Sequence, residues 1–246
     1  MNLGSNTILI TGGSEGIGLA LAERFLKAGS TVIVCGRREE VLREAQQKHP
    51  ELHIRVCDVA SEQGRIDLFN WATTEFPNLN VLINNAGIQR RFKFTQQPEW
   101  AAVQSEITIN IEAPIHLSIL FLPHLLEQSQ PAIINVTSGL AFVPATFAPV
   151  YGATKAAMHS LTMALRQQLA ETPVEVIEIV PPAVNTNLGG VGLHTTGTPL
   201  NEFGDAVFKG LEKGEQEITY GFSAKASQAS RQELDQFFKQ ISQTLP

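Results

Sequence analysis

Tyr151 and Lys155 stand four residues apart, and Ser138 lies thirteen residues upstream of the tyrosine. A phenol, an ammonium and a hydroxyl therefore share the stretch TSGLAFVPATFAPVYGATK, residues 137–155. If its end is helical, positions i and i+4 emerge on one face, one turn apart, and the amine can act on the phenol. A free phenol titrates near 10, so only about one molecule in a thousand is phenolate at neutral pH. A unit charge about 4 Å away, at an effective dielectric near 20, is worth about 4 kcal/mol, roughly three pKa units before desolvation opposes it. The spacing predicts a general acid-base pair in which Lys155 lowers the pKa of Tyr151. Ser138 would bond a substrate carbonyl and hold it against the phenol. A YxxxK pair alone is most often a solvated amphipathic pair. The upstream serine and a glycine-rich turn near the N-terminus set this one apart.

The elements that must position these groups follow from the apolar pattern. Residues 131–137 read as a buried parallel strand that places Ser138 at its carboxyl end, the edge of an open α/β sheet where ligands bind. A helical pattern over about 149–171 follows. At the N-terminus, a strand over 7–10 leads into Thr11-Gly12-Gly13-Ser14-Glu15-Gly16-Ile17-Gly18 and then a helix to about Lys27. Glycines permit tight turning and close backbone approach, and the helix offers unpaired N–H groups to a pyrophosphate. The next strand, 31–35, ends at Gly36-Arg37-Arg38. A carboxylate there would bond the ribose 2′-hydroxyl of NAD, whereas guanidiniums suit the extra phosphate of NADP. NADP(H) is expected over NAD(H), against a solvated arginine pair and with the negative charge of Glu15 opposing.

A helix over 39–48, a strand over 52–57 ending at Asp58-Val59, a helix over 62–76 and a strand over 80–83 come next. Asp58 also suits the N-cap of the helix after it. Gln89-Arg90-Arg91-Phe92-Lys93 is a basic cluster, either a solvated loop or a receiver for an anionic substrate group. A long helix over about 98–128 carries Asn110, which alone could be a core amide bonded to a carbonyl. His116 and His124 on it have no third ligand in view, so no metal is predicted. A strand over 174–180, a Gly/Thr-rich loop over 188–199 suited to a substrate lid, a helix over 202–213 and a last strand over 217–220 complete the sheet. Leu234, Phe237, Phe238 and Ile241 form a helical stripe in the tail, for packing or a subunit contact. Leu140, Phe142, Val143 and Phe147 suit a pocket wall and core packing equally.

With 43% hydrophobic and 17% charged residues and a net charge of −6, the 246-residue chain suits one α/β domain and offers no basic footprint for nucleic acid or an anionic membrane. No apolar run reaches the roughly 20 residues of a membrane span, and the N-terminus lacks a basic leader, so a cytoplasmic place is expected. Cys35 and Cys57 read as buried thiols, not a redox or metal pair.

In their order and spacing, the glycine turn, Asn84-Asn85-Ala86-Gly87, Asn110, Ser138 and Tyr151-Gly-Ala-Thr-Lys155 resemble the short-chain dehydrogenase/reductase family over nearly the whole chain. VTSGLAF, PVYGATKAA, Pro181-Pro182 and Tyr220-Gly221-Phe222 are similar to its DltE-like branch. The resemblance implies a single Rossmann-type domain, a doubly wound parallel sheet with helices on both faces. The cofactor part would span about 1–135, the catalytic and substrate part about 136–222, and a helical tail about 223–246. It implies hydride transfer between a carbonyl and an alcohol on a small molecule, in a homodimer or homotetramer. Ser138 would orient the carbonyl, Tyr151 exchange the proton, Lys155 acidify the phenol and hold the ribose, and Asn110 support the proton path through a water. Cofactor contacts fall on Gly12, Ser14, Glu15, Gly16, Ile17, Gly18, Arg37, Arg38, Asp58, Val59, Asn85, Ala86 and Gly87. Val184 and Thr186 would grip the nicotinamide, although Pro182 replaces the family's usual glycine before them. The rival is a catalytically silent nucleotide-binding regulator on the same fold.

Overall fold

The computed structural model describes residues 2–193 and 195–244; His194, in the 188–199 loop, lies outside the described residues. Seven aliphatic runs form β1 (Thr7–Thr11), β2 (Thr31–Gly36), β3 (His53–Val56), β4 (Val81–Asn84), β5 (Ala132–Val136), β6 (Glu175–Val180) and β7 (Glu217–Thr219). They pair in parallel in the order β3-β2-β1-β4-β5-β6-β7. The order reverses between β1 and β4, which opens a crevice at the carboxyl ends of the strands.

Alternate strand residues face opposite layers. Ile8, Ile10, Val32 and Val34 meet α1 (Gly16–Lys27), α2 (Glu39–Lys48) and α7 (Leu200–Glu212) through Leu21, Phe25, Leu42 and Phe203. Leu9, Ile33, Leu82 and Ile133 meet α3 (Glu62–Glu75) and α5 (Ala113–Leu126) through Leu68, Leu117, Phe121 and Leu125. Covering both faces is why the strands read as unbroken apolar runs, and the doubly wound expectation is met.

The helix expected over 98–128 is α4 (Trp100–Ile107) joined to α5 by a π-turn, Thr108–Glu112, that carries Asn110. No unbroken apolar run approaches a membrane span, as expected, but one helix broken by polar residues passes by length and composition. Trp100–Leu126 is one 27-residue helix whose most apolar stretch reaches a mean hydropathy of 1.3, enough by length and composition to cross a bilayer. Its Leu117, Phe121 and Leu125 lie fully buried on the sheet, so its apolar character is that of a core helix. The helix expected after Pro149 is α6 (Pro149–Gln168). The helical tail expected over about 223–246 is broken in two, and its first part is α8 (Phe222–Ser227), six residues secured where the Ser223 hydroxyl donates to the Val180 carbonyl at 2.5 Å. The second part is α9 (Arg231–Thr244), with Phe237 against Phe222 at a 5.6 Å centroid separation.

Candidate active site

The glycine turn crosses from β1 to α1 with Gly16 at φ +58°, a conformation that a side chain would strain. Helix α1 starts after Glu15 with no side-chain cap and no acidic residue in its first turn, so its leading N–H groups point free into the crevice. The Thr11 hydroxyl accepts from the Asn85 and Ala86 backbone N–H groups, each at 3.0 Å. Asn85 Nδ2 donates back to the Thr11 and Gly12 carbonyls at 2.9 and 3.0 Å. Asn84 donates to Asn135 at 2.9 Å, tying β4 to β5. These bonds brace the sheet around the switch point.

A cleft of about 720 Å³ runs along this edge. Every residue anticipated for the cofactor or the chemistry lines it except Gly18 and Asn110. Gly18 is a packing glycine: a Cβ there would sit 2.5 Å from the Gly12 carbonyl oxygen and 2.5 Å from Asn85 Nδ2. The Asn110 amide is spent on protein groups. Its Oδ1 accepts from the Ile88 N–H at 2.9 Å, and its Nδ2 donates to the Ile88 carbonyl at 2.9 Å and to the Thr154 hydroxyl at 3.1 Å. This is the core-amide alternative for the side chain, and it pins the π-turn to the end of β4. The helix cap after Asp58 also differs from expectation. Ser61, not Asp58, caps α3 by accepting from Gly64 N, while Asp58 accepts from Ala60 N at 3.0 Å and faces the cleft.

Ser138, Tyr151 and Lys155 are all nearly buried, at 7%, 5% and 5% exposure. Ser138 Oγ accepts from the Leu140 N–H at 3.1 Å, and its side chain lies near enough to the Tyr151 phenol to draw its titration down. Lys155 Nζ lies 5.6 Å from the Tyr151 ring centroid and donates to the Val136 carbonyl at 2.8 Å. Burial of the pair opposes the acidification expected from Lys155. Burial drives the Tyr151 phenol well above its ordinary value, the Ser138 side chain offsets only part of this, and Glu106 pushes it further up. Lys155 pays the same toll: burial lowers it to about 8, with Glu178 opposing. The spacing argument placed the amine correctly but left out the cost of taking both groups from water.

Beyond the end of β2, Arg38 pairs with Glu15, so one of the two guanidiniums is already engaged, and Arg37 stays exposed. Arg90 lines the cleft, whereas Arg91 stacks over Phe147 at 4.5 Å. Leu140 and Phe147 line the substrate end, but Val143 is core and Phe142 packs on His159. Sequence reasoning missed Phe222 and Ile241 as lining residues. Ile241 belonged to the apolar tail stripe, the one signal that could have found it. His116 accepts from Arg65 at 2.9 Å and His124 bonds the Leu79 carbonyl at 3.0 Å, so both serve packing.

A doubly wound sheet with an uncapped glycine-turn helix at its switch point, and a buried Ser-Tyr-Lys set facing it, defines a dinucleotide-binding oxidoreductase. A family model described as short chain dehydrogenase matches residues 6–192. The chain belongs to the short-chain dehydrogenase family. It is 48% identical, over 98% of each chain, to the uncharacterized oxidoreductase DltE of Bacillus subtilis (strain 168). A short chain dehydrogenase from Burkholderia cenocepacia J2315, solved in complex with NADP, matches with a TM-score of 0.84 at 26% identity, over 97% of this chain and 99% of that one. One from Burkholderia phymatum, solved in complex with NAD, shares the fold with a TM-score of 0.82 at 18% identity over 89% of each chain. Proteins of this fold are thus solved with either dinucleotide.

Proposed function

We propose that this protein is an NADP(H)-dependent oxidoreductase that interconverts a carbonyl and an alcohol on a small molecule. The observation that carries the reading is Ser138, Tyr151 and Lys155, buried together in the cleft that the glycine turn opens. The free N–H groups of α1 and Gly16 would hold the pyrophosphate, Arg37 and Arg38 the 2′-phosphate, and Val184 and Thr186 the nicotinamide. When bound, the nicotinamide supplies or accepts the hydride. Ser138 donates to the substrate oxygen, and Tyr151 exchanges a proton with it. Burial keeps the phenol protonated at neutral pH, so Tyr151 holds the proton that reduction of the carbonyl consumes. Lys155 returns the proton to Tyr151, and Asn110, through the π-turn that it pins, supports the route to solvent. Ile119 and Met163, exposed apolar residues on α5 and α6, suit the faces of a homodimer or homotetramer, and the two free thiols fit a cytoplasmic place. A panel of ketones, aldehydes and quinones with NADPH tests the activity. No NADPH oxidation above background across the panel refutes it.

Two further results are expected. Arg37→Ala should weaken NADPH about tenfold, the worth of one charge-assisted contact, and leave NADH unchanged, while Glu15→Gln releases Arg38 and tightens NADPH a few fold. Titration calorimetry with both cofactors checks this, and equal or tighter NADH binding by the parent overturns the preference. The kcat/KM for reduction reports groups of the free enzyme. It should stay level up to about pH 8, where Lys155 loses its proton. Above that it should fall about tenfold per unit. A profile flat to pH 10 would remove Lys155 from the proton path.

A further inference from the structure

Tyr151, Lys155 and His159 follow one another at four-residue steps along one face of α6, and the chemistry above leaves the third unused. Opposite it, Glu178 on β6 is wholly buried on the layer away from its core neighbours Ile177 and Ile179. Glu178 Oε1 accepts from the Thr137 hydroxyl at 2.6 Å, and its two oxygens face His159 Nδ1 at 3.0 and 2.9 Å. Val136, just before Thr137, accepts from the Lys155 ammonium, and Ser138 follows directly after. One buried carboxylate therefore underlies the strand end that carries the active groups.

A carboxylate out of water is costly unless it is paired and hydrogen-bonded. Glu178 is both, and its hydrogen bond holds the His159 imidazole above its ordinary range. Glu217 on β7 and Arg166 on α6 are the other charges facing this pair. Lys155 itself faces Tyr151 and Glu178, with Glu106 of α4 acting on Tyr151. His159, Glu178 and Glu217 offer ligand atoms within 4.8 Å of one another, but both Glu178 oxygens are engaged by His159, the geometry of an ion pair.

We propose that Glu178 and His159 are positioning residues for Lys155: Glu178 supplies the negative charge that keeps the buried ammonium charged, and His159 sets how much of that charge Lys155 feels. The inference rests on the reading of Lys155 as an active-site group. Without the Glu178 charge, burial acts unopposed and Lys155 gives up its proton at lower pH. Where the His159 imidazole is charged it compensates Glu178, so replacing it lets Lys155 keep its proton to higher pH.

The full chain labelled with ¹³Cε-lysine carries eight lysines, and Lys155→Met assigns the resonance of interest. In an NMR titration, Glu178→Gln should lower the Lys155 midpoint by about one pH unit, a tenfold change, and His159→Gln should raise it by about half a unit. Thr137→Val removes a hydrogen bond but no charge, and should leave the midpoint within about 0.3 unit of the parent. Midpoints unmoved in both charge variants, or moved the same way, overturn the proposal. So does a Thr137→Val shift as large as that of Glu178→Gln, which would make packing the cause. Should Glu178→Gln fold poorly, the upward shift in His159→Gln, at a side chain 20% exposed, still decides. The titration needs no substrate. Opposed shifts in a chain that turns over no carbonyl would refute the proposed function and leave this pair's hold on Lys155 standing, and unmoved midpoints in an active enzyme would do the reverse.

Discussion

Tyr151→Phe is expected to cut NADPH-dependent carbonyl turnover by about 10²–10⁴-fold, the usual worth of a positioned proton donor, with the Kd for NADPH within a few fold of the parent. The substitution removes one oxygen from a ring that is 5% exposed, so the packing of α6 against the cleft is kept. What goes is the only phenol lining the cleft among the described residues. A protein that used the fold only to sense a dinucleotide would lose nothing by this change. Steady-state turnover on any reactive member of the carbonyl panel, beside calorimetry for NADPH, makes the measurement. Turnover within tenfold of the parent would end the catalytic reading of Tyr151 and favour the regulator.

Gly18→Val should weaken NADPH by about 10–100-fold, although residue 18 does not line the cleft. Its new Cβ would sit 2.5 Å from the Gly12 carbonyl oxygen, 2.5 Å from Asn85 Nδ2 and 2.9 Å from the Gly13 Cα. Two of these are backbone atoms of the turn itself, so the turn has to shift. Overpacking of this kind costs about 1–3 kcal/mol, and each 1.4 kcal/mol is about tenfold in affinity when the strained loop is the binding loop. Calorimetry against NADPH measures it. A Kd within threefold of the parent would mean that the turn is not the phosphate seat.

How much of this was legible in the residues depends on the distance over which each feature is made. The strands were readable because a parallel sheet covered on both faces demands runs such as Ile8-Leu9-Ile10 and Ile133-Ile134. The glycine turn was readable because its backbone demands are local. Asp58 was offered as a helix cap because its type fits, but Ser61 stands where the N–H of Gly64 can reach it. The short helix α8 depends on Ser223 finding the Val180 carbonyl, 43 residues away, and no local pattern announces that. The phenol went astray for the same reason. Four-residue spacing shows that an amine lies nearby, but the desolvation that outweighs it depends on everything packed around the pair. Glu178 and His159 were invisible as a pair because their bond joins a strand to a helix 19 residues earlier.

The π-turn at Thr108–Glu112 fixes the phase between the two halves of a long helix. An α-helix advances about 100° per residue, so deleting one residue there would restore regular bonding yet swing α4 by about that angle around α5. Val103 and Glu106, now turned inward, would rotate out, and Glu106 would leave the Arg90 N–H from which it accepts at 3.1 Å, while Phe121 and Leu125 stayed seated on the sheet. Chain length in this segment is thus a setting for the site's geometry, and single-residue insertions or deletions there should be tolerated far less than substitutions of like size.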